Sequence, residues 1–144
     1  MEPNIYGLIF LIFIILIGSA CCSGVEAAFL AVNSIRIIEI ASKQKPKSSA
    51  NQLLKLRKHL GRTLTVITIT NNGFNIIGSL ILGVYGALII NSSYGLTFFS
   101  IAFYILVVLV GEVLPKALGT RFSVQIALLS VPILGILNLS LIHI

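Results

Sequence analysis

The stretch VGEVLPKALG, Val110–Gly119, sets a carboxylate and a helix breaker side by side at the end of a long uncharged run. Pro115 has no N–H, so the carbonyl four residues earlier, that of Gly111, loses its helical partner. Gly111 has no side chain, so a ligand can approach its backbone closely. Glu112 adds a carboxylate next to that carbonyl. Elsewhere, Ser19, Ser23 and Glu26 follow i, i+4, i+7 spacing, which places them on one helix face. Asn71 and Asn75 are also four apart, with Asn72 beside them. The candidate metal set is Ser19, Ser23, Asn71, Asn75, Gly111 and Glu112. Its hydroxyl, amide, carbonyl and carboxylate oxygens are hard ligands, suited to Mg²⁺ or Ca²⁺ rather than zinc or copper. Six oxygens match the octahedron that Mg²⁺ demands. Because Mg²⁺ usually keeps several waters, some of the six are expected to act through water or from behind the direct ligands.

Each of these residues also has a purely structural reading. Serine in a membrane span often bonds its own i−4 carbonyl. Asparagine can join neighbouring helices. Glu112 can pair with Lys116 at i+4, and Pro115 can be no more than a kink. Glu26 has no Lys or Arg at i+4. It is left open as a ligand for a coupling ion, a buried hydrogen-bonding group or an interfacial charge. Gly78, Gly83 and Gly86, with Ser79 and Ala87, have the small-residue spacing of close helix contacts, within the chain or at a dimer face.

The elements that must position these groups follow from composition. The chain is 57% hydrophobic and 10% charged, with a mean hydropathy of +1.07, which is a membrane composition. Charge-free runs predict an all-α membrane protein with three spans, at about residues 5–30, 63–90 and 96–118. The turn residues NSSYG, Asn91–Gly95, separate the second from the third. Eight of the ten Lys and Arg fall between Arg36 and Arg62. This basic loop 36–62 is expected on the cytoplasmic side, with the N-terminus outside. Within it, SKQKPKSSANQ reads as a loop broken by Pro46. SANQLLKLRKHLGR reads as a short amphipathic helix, N-capped by Ser49 and closed by Gly61, lying on the anionic inner leaflet. The basic patch sits between apolar segments, so it points to topology rather than nucleic acid.

The segment from about 122 reads either as a fourth span or as an in-plane helix, since Gln125 and Pro132 interrupt it. The final LSLIHI resembles a translated sequencing adaptor. The natural chain is therefore expected to continue beyond Asn138, and His143 carries no functional weight. Cys21 and Cys22 are adjacent, a poor arrangement for a structural disulfide, and read as apolar packing. LIGSACC has a faint lipobox pattern, but the N-terminus carries no Lys or Arg, so a cleaved signal is not expected.

Depth gives an independent check on the site. At about 1.5 Å rise per residue from each span's middle, Ser19 and Ser23 lie roughly 4–10 Å to the cytoplasmic side of the midplane. Asn71 and Asn75 fall roughly 3–9 Å to the same side, and Gly111 and Glu112 roughly 6–8 Å. Three helices bring oxygens to one level, and ionisable groups there are functional candidates by default.

Three motifs carry a family resemblance. SACCSGVEAAFLAVNSIRIIEIA resembles the first helix of the cyclin M/CorC membrane domain, TNNGFNII its second-helix asparagine pair, and GEVLPK its Gly-Glu-x-x-Pro-Lys signature. They occur in order and cover most of the chain to about Ala127. Ala27 stands where threonine is common. The resemblance implies a homodimeric, multi-pass magnesium transporter of the plasma membrane, with sodium-coupled export the usual proposal and Na⁺ a coupling ion. It implies three spans, a cytoplasmic belt of juxtamembrane helices and an in-plane helix from about 122. CBS-type nucleotide-binding domains are expected beyond this chain, so any nucleotide would bind through them. The family's ion site maps onto Ser19, Ser23, Asn71, Asn75, Gly111 and Glu112, the same six residues.

Three readings of function compete with transport. A non-transporting, Mg²⁺-sensing anchor would bind the ion and signal to cytosolic domains. A small membrane-active peptide would not need three motifs at one depth. An intramembrane enzyme has the least support: no zinc-protease motif occurs, and His59 lies in the basic loop. In the transport reading, Pro115 is a candidate hinge, and Glu26 and Lys116 are candidates for coupling-ion or structural roles.

Overall fold

The computed structural model describes residues 4–43, 45 and 48–140. Pro46, read as a breaker, and His143, in the adaptor-like tail, lie outside the described residues. Six helices follow in order: α1 Ile5–Ala31, α2 Ser34–Ser42, α3 Ser49–Lys58, α4 Leu60–Ile89, α5 Ser93–Arg121 and α6 Ser123–Ser140. No strand occurs among the described residues. The helices α1, α4 and α5 are long and apolar enough to cross a membrane, at 27, 30 and 29 residues. Length and composition thus make this a multi-pass membrane protein.

Local chemistry sets where the helices begin. Asn4 caps α1 by accepting from the Gly7 N–H at 2.8 Å, Asn33 caps α2 through Ile35, and Ser92 caps α5 through Gly95. The cap of α3 is Ser48, not Ser49: its hydroxyl accepts from the Asn51 side-chain amide at 3.1 Å and faces the Asn51 N–H. Gly61 does not close that helix. His59 ends it, and Gly61 lies in the first turn of α4. The sequence reading also ran Arg36 into a loop, whereas Ser34–Ser42 forms a helix of its own.

Two long helices are locally unwound. Gly73–Ile77 in α4 and Val107–Val113 in α5 are π-helical. Such turns are rare and often sit at functional sites. In α5 the bulge spreads the disruption at Pro115 over two turns, and the chain continues as helix to Arg121.

Two apolar clusters hold the bundle. Toward the ends of α1 and α4 nearest the basic loop, Phe29, Val32, Ile37, Leu53, Ile67, Ala127, Val131 and Leu134 join α1, α2, α3, α4 and α6. Toward the opposite ends, Leu8, Ile15, Leu82, Phe103 and Val107 join α1, α4 and α5. Arg57 of α3 donates to the Val32 carbonyl, satisfying an oxygen at the end of α1 that no helix turn can reach. The closest packing is between α1 and α5. A Cβ built on Gly119 would lie 2.3 Å from the Gly24 carbonyl oxygen, so the two backbones touch there. Of the small residues singled out in α4, Gly78 receives Ile15 and Gly86 receives Phe99, while Gly83 has nothing within 4 Å.

The helix α6 crosses the face of α1. Ile126 and Leu129 lie with Leu118 on the α5 side, and Leu134 and Leu137 with Ile67 and Thr70 on the α4 side. Cys21 and Cys22 are free thiols beside it, Cys22 half-buried but Cys21 exposed rather than packed inside the chain.

Candidate cation site

Between the two apolar clusters lies a polar layer built from all three long helices. The Ser19 hydroxyl faces two acceptors, Asn71 Oδ1 at 3.2 Å and the Gly111 carbonyl at 3.3 Å. The carbonyl that Pro115 deprives of its helical partner is therefore met by α1. Ser19 and Ser23 are fully buried, and Asn71 is buried with 7% exposure. Glycine at 111 suits this approach: a Cβ there would come to 3.1 Å from Ser19 Oγ, a tight contact. Asn75 donates from Nδ2 to Glu112 Oε1 at 2.8 Å, which ties α4 to α5 in the same layer. The structure thus brings Ser19, Asn71 and Gly111 into one hydrogen-bonded group and Asn75 and Glu112 into another. Asn72 is exposed and takes no part.

Several oxygens of this layer are not met by the hydrogen bonds it makes. A hydroxyl carries one hydrogen, so Ser19 cannot fully satisfy two acceptors at once. Ser23 Oγ and Asn75 Oδ1 are buried without any hydrogen-bond partner. Buried polar atoms without partners are rare and need a specific explanation. Four other hydroxyls of the long helices behave as serine and threonine often do. Thr65, Thr70, Thr97 and Ser100 each donate to the carbonyl four residues back, at 2.8–3.0 Å. Ser19 and Ser23 do not: Ser19 bonds across to the other two helices, and Ser23 has no partner. A buried layer of oxygens left partly unpartnered is a suitable environment for a hard cation.

Glu112 does not pair with Lys116. The ammonium of Lys116 lies 3.7 Å from Glu26 Oε2, across from α5 to α1. The other oxygen of Glu26 accepts from Thr68 Oγ1 at 3.1 Å. Sequence reasoning missed Thr68. The signal was there, because Thr68, Asn71 and Asn75 follow i, i+3, i+7 spacing on one face of α4. On its other flank the polar layer opens into a cavity of about 350 Å³ between α4 and α5, bordered by Asn75, Ser79, Ser100, Tyr104 and Glu112. Among the described residues no group of three His, Cys, Asp or Glu side chains comes together. The donor set of this layer is oxygen alone.

Three apolar spans around a buried layer of oxygen donors define a multi-pass membrane domain with a polar centre. The chain matches the family model described as the cyclin M transmembrane N-terminal domain over residues 9–142, and it belongs to that family. It is also similar to the UPF0053 protein sll1254 of Synechocystis sp., 35% identical over 118 residues. That match covers 82% of this chain and 33% of the relative, so the chain spans about a third of the length of the curated relative it matches.

Proposed function

We propose that this domain moves Mg²⁺ across the bilayer through a site formed by Ser19, Ser23, Asn71, Asn75, Gly111 and Glu112. The observation that carries the reading is the pair of buried oxygens, Ser23 Oγ and Asn75 Oδ1, left without hydrogen-bond partners beside the Ser19–Asn71–Gly111 group. A cation in the layer would satisfy both, and it would take the Gly111 or Asn71 oxygen that Ser19 cannot serve. Glu112 supplies the one carboxylate of the set, and the remaining positive charge is left to waters and dipoles. Membership of the cyclin M family supports magnesium as cargo, and Na⁺ as the coupling ion belongs to the same proposal. The positive-inside rule supports an N-terminus outside and a cytoplasmic basic loop, and residence in the plasma membrane belongs to the same proposal.

Movement of α5 against α1 and α4 provides alternating access in this reading, with the π-helical Val107–Val113 and Pro115 as the deformable region. A homodimer is part of the proposal. Ser79, Gly83, Ser100 and Tyr104 present small and polar groups on the α4–α5 face beside Glu112, where lipid is a poor partner. No catalytic role is assigned to any residue, and no nucleic acid is expected as a partner. Nucleotide binding would reside in CBS-type domains outside this segment, with residues from about 122 as an in-plane part of the belt.

The test is Mg²⁺ binding and flux together. Purified protein should be thermally stabilised by Mg²⁺ in a saturable way, and Glu112→Gln should lose the effect. Full-length protein in vesicles should then carry Mg²⁺, and Glu112→Gln should not. Binding without flux would favour the second reading, a Mg²⁺-sensing anchor. That reading has support in the two-thirds of the relative's length lying outside the match. A folded protein indifferent to Mg²⁺ would sink both.

A further inference from the structure

A second group of charges sits on the side of the polar layer that faces the basic loop. Glu26 is one turn beyond Ser23, about 4.5 Å along the helix. Its two oxygens are divided between two other spans, Oε1 to Thr68 of α4 and Oε2 to Lys116 of α5. The Lys116 contact, at 3.7 Å, is longer than the roughly 2.7–2.9 Å of a tight charge-assisted hydrogen bond. The ammonium neutralises the carboxylate without being latched to it. The two side chains differ in exposure, 22% for Glu26 and 48% for Lys116, so the lysine has room to swing away. That room is a cavity of about 520 Å³ lined by Glu26, Ala27, Leu30, Ala31, Lys116 and Thr120. At about 30 Å³ for each water, it admits a cation with a full shell of six waters.

We propose that Glu26 and Thr68 form a second, transient site for a hydrated hard cation, and that Lys116 is the tethered counter-charge that occupies it until a cation arrives. The argument rests on the polar layer being a cation path, as proposed above. A carboxylate between three apolar helices requires a positive partner. Lys116 supplies one on a flexible four-carbon stem, and an incoming cation competes with it for the same oxygen. A cation held there is one helical turn from the unpartnered Ser23 hydroxyl, which would be its next ligand inward. Lys116 thus keeps the mouth electrically neutral when empty and yields it when occupied.

Mn²⁺, a paramagnetic hard divalent ion, provides the probe. Its binding to the full-length, detergent-purified protein can be counted by electron paramagnetic resonance. The wild type should bind one tight Mn²⁺ per chain. Lys116→Gln should bind two, and adding Glu26→Gln to that variant should restore one. A folded Lys116→Gln protein that still binds only one overturns the proposal. A measurement on unmutated protein stands beside this one: acetylation of Lys116 by an amine-reactive ester, read by mass spectrometry. Saturating Mn²⁺ should raise the Lys116 rate at least threefold while Lys58 stays constant, and an unchanged Lys116 rate also overturns it. A Glu112→Gln variant that keeps the tight Mn²⁺ overturns the reading of the polar layer instead, so the two failures are separable.

Discussion

Ser19 and Ser23 are chemically identical, equally buried and one turn apart, yet their alanine variants should move stability in opposite directions. In chelator, with no divalent cation, the Ser23 hydroxyl is buried without a partner. A buried unpaired polar group costs about 1–3 kcal/mol, which alanine removes at almost unchanged volume. Taking the lower figure, and about 2–4 °C per kcal/mol for a chain near this size, Ser23→Ala should melt about 2–4 °C higher than wild type. Ser19→Ala loses the hydroxyl that serves Asn71 and Gly111. It leaves both acceptors bare, and should melt lower by a similar or larger amount. Both variants should bind Mg²⁺ more weakly, by about tenfold or 1.4 kcal/mol each. The assay is a thermal melt of purified protein, in chelator and across a Mg²⁺ titration. Ser23→Ala should therefore start higher and gain less. If Ser23→Ala is destabilised in chelator as much as Ser19→Ala and keeps the full Mg²⁺ gain, the argument from the unpartnered oxygen is wrong.

Glu112→Gln preserves an acceptor for Asn75 but removes the charge. It should retain the fold, and its Mg²⁺ affinity by calorimetry should drop at least the roughly 10–100-fold that loss of an outer partner costs a metal site. Gly119→Ala forces a methyl against the Gly24 carbonyl and should cost about 1–3 kcal/mol or more, read as a lower melting temperature. The control is Gly135→Ala in α6, which meets nothing within 4 Å and should be neutral or stabilising by up to about 1 kcal/mol through helix propensity. Arg57→Ala frees the Val32 carbonyl and should destabilise by about 1–3 kcal/mol, visible as faster hydrogen exchange where α1 ends.

The three spans were legible because each is an uninterrupted charge-free run, and a bilayer sets a minimum length that few other structures require. The polar layer was legible because helical rise is constant, so counting residues from each span's middle gives a depth. What could not be counted was rotation. Lys116 is four residues from Glu112, and the i+4 rule offers that pair. The near approach of α1 and α5 at Gly24 and Gly119 instead presents Lys116 to Glu26. The same rotation hid Thr68, whose role depends on α1 facing it. The π-helical turns were half legible. Pro115 announced a lost hydrogen bond, but no residue preference announces a bulge at Gly73–Ile77, where no proline occurs. The cap of α3 was displaced by one residue because Ser48 and Ser49 are both good caps and only geometry chooses between them.

The contact between Gly24 and Gly119 has a mechanical consequence. Two backbones in direct contact have no side chains that can change rotamer to take up a slide, so relative motion of α1 and α5 is favoured as rotation about that point. The fulcrum is close to one end of α5, and the helix is a lever with very unequal arms. Gly111 is eight residues away, about 12 Å, and Gly95 is twenty-four residues away, about 36 Å. For the part of the motion in which α5 tilts as one body, without bending at Val107–Val113, a 10° tilt would carry the Gly95 end by about 6 Å and the Gly111 carbonyl by about 2 Å, but Lys116, only about 4.5 Å from the pivot, by less than about 1 Å. Spin labels at the two ends of α5 would reveal such unequal displacement. Two ångströms is about the length of a bond from Mg²⁺ to oxygen. A small swing of one helix would therefore release the Gly111 ligand outright while leaving the charges beside the fulcrum nearly in place.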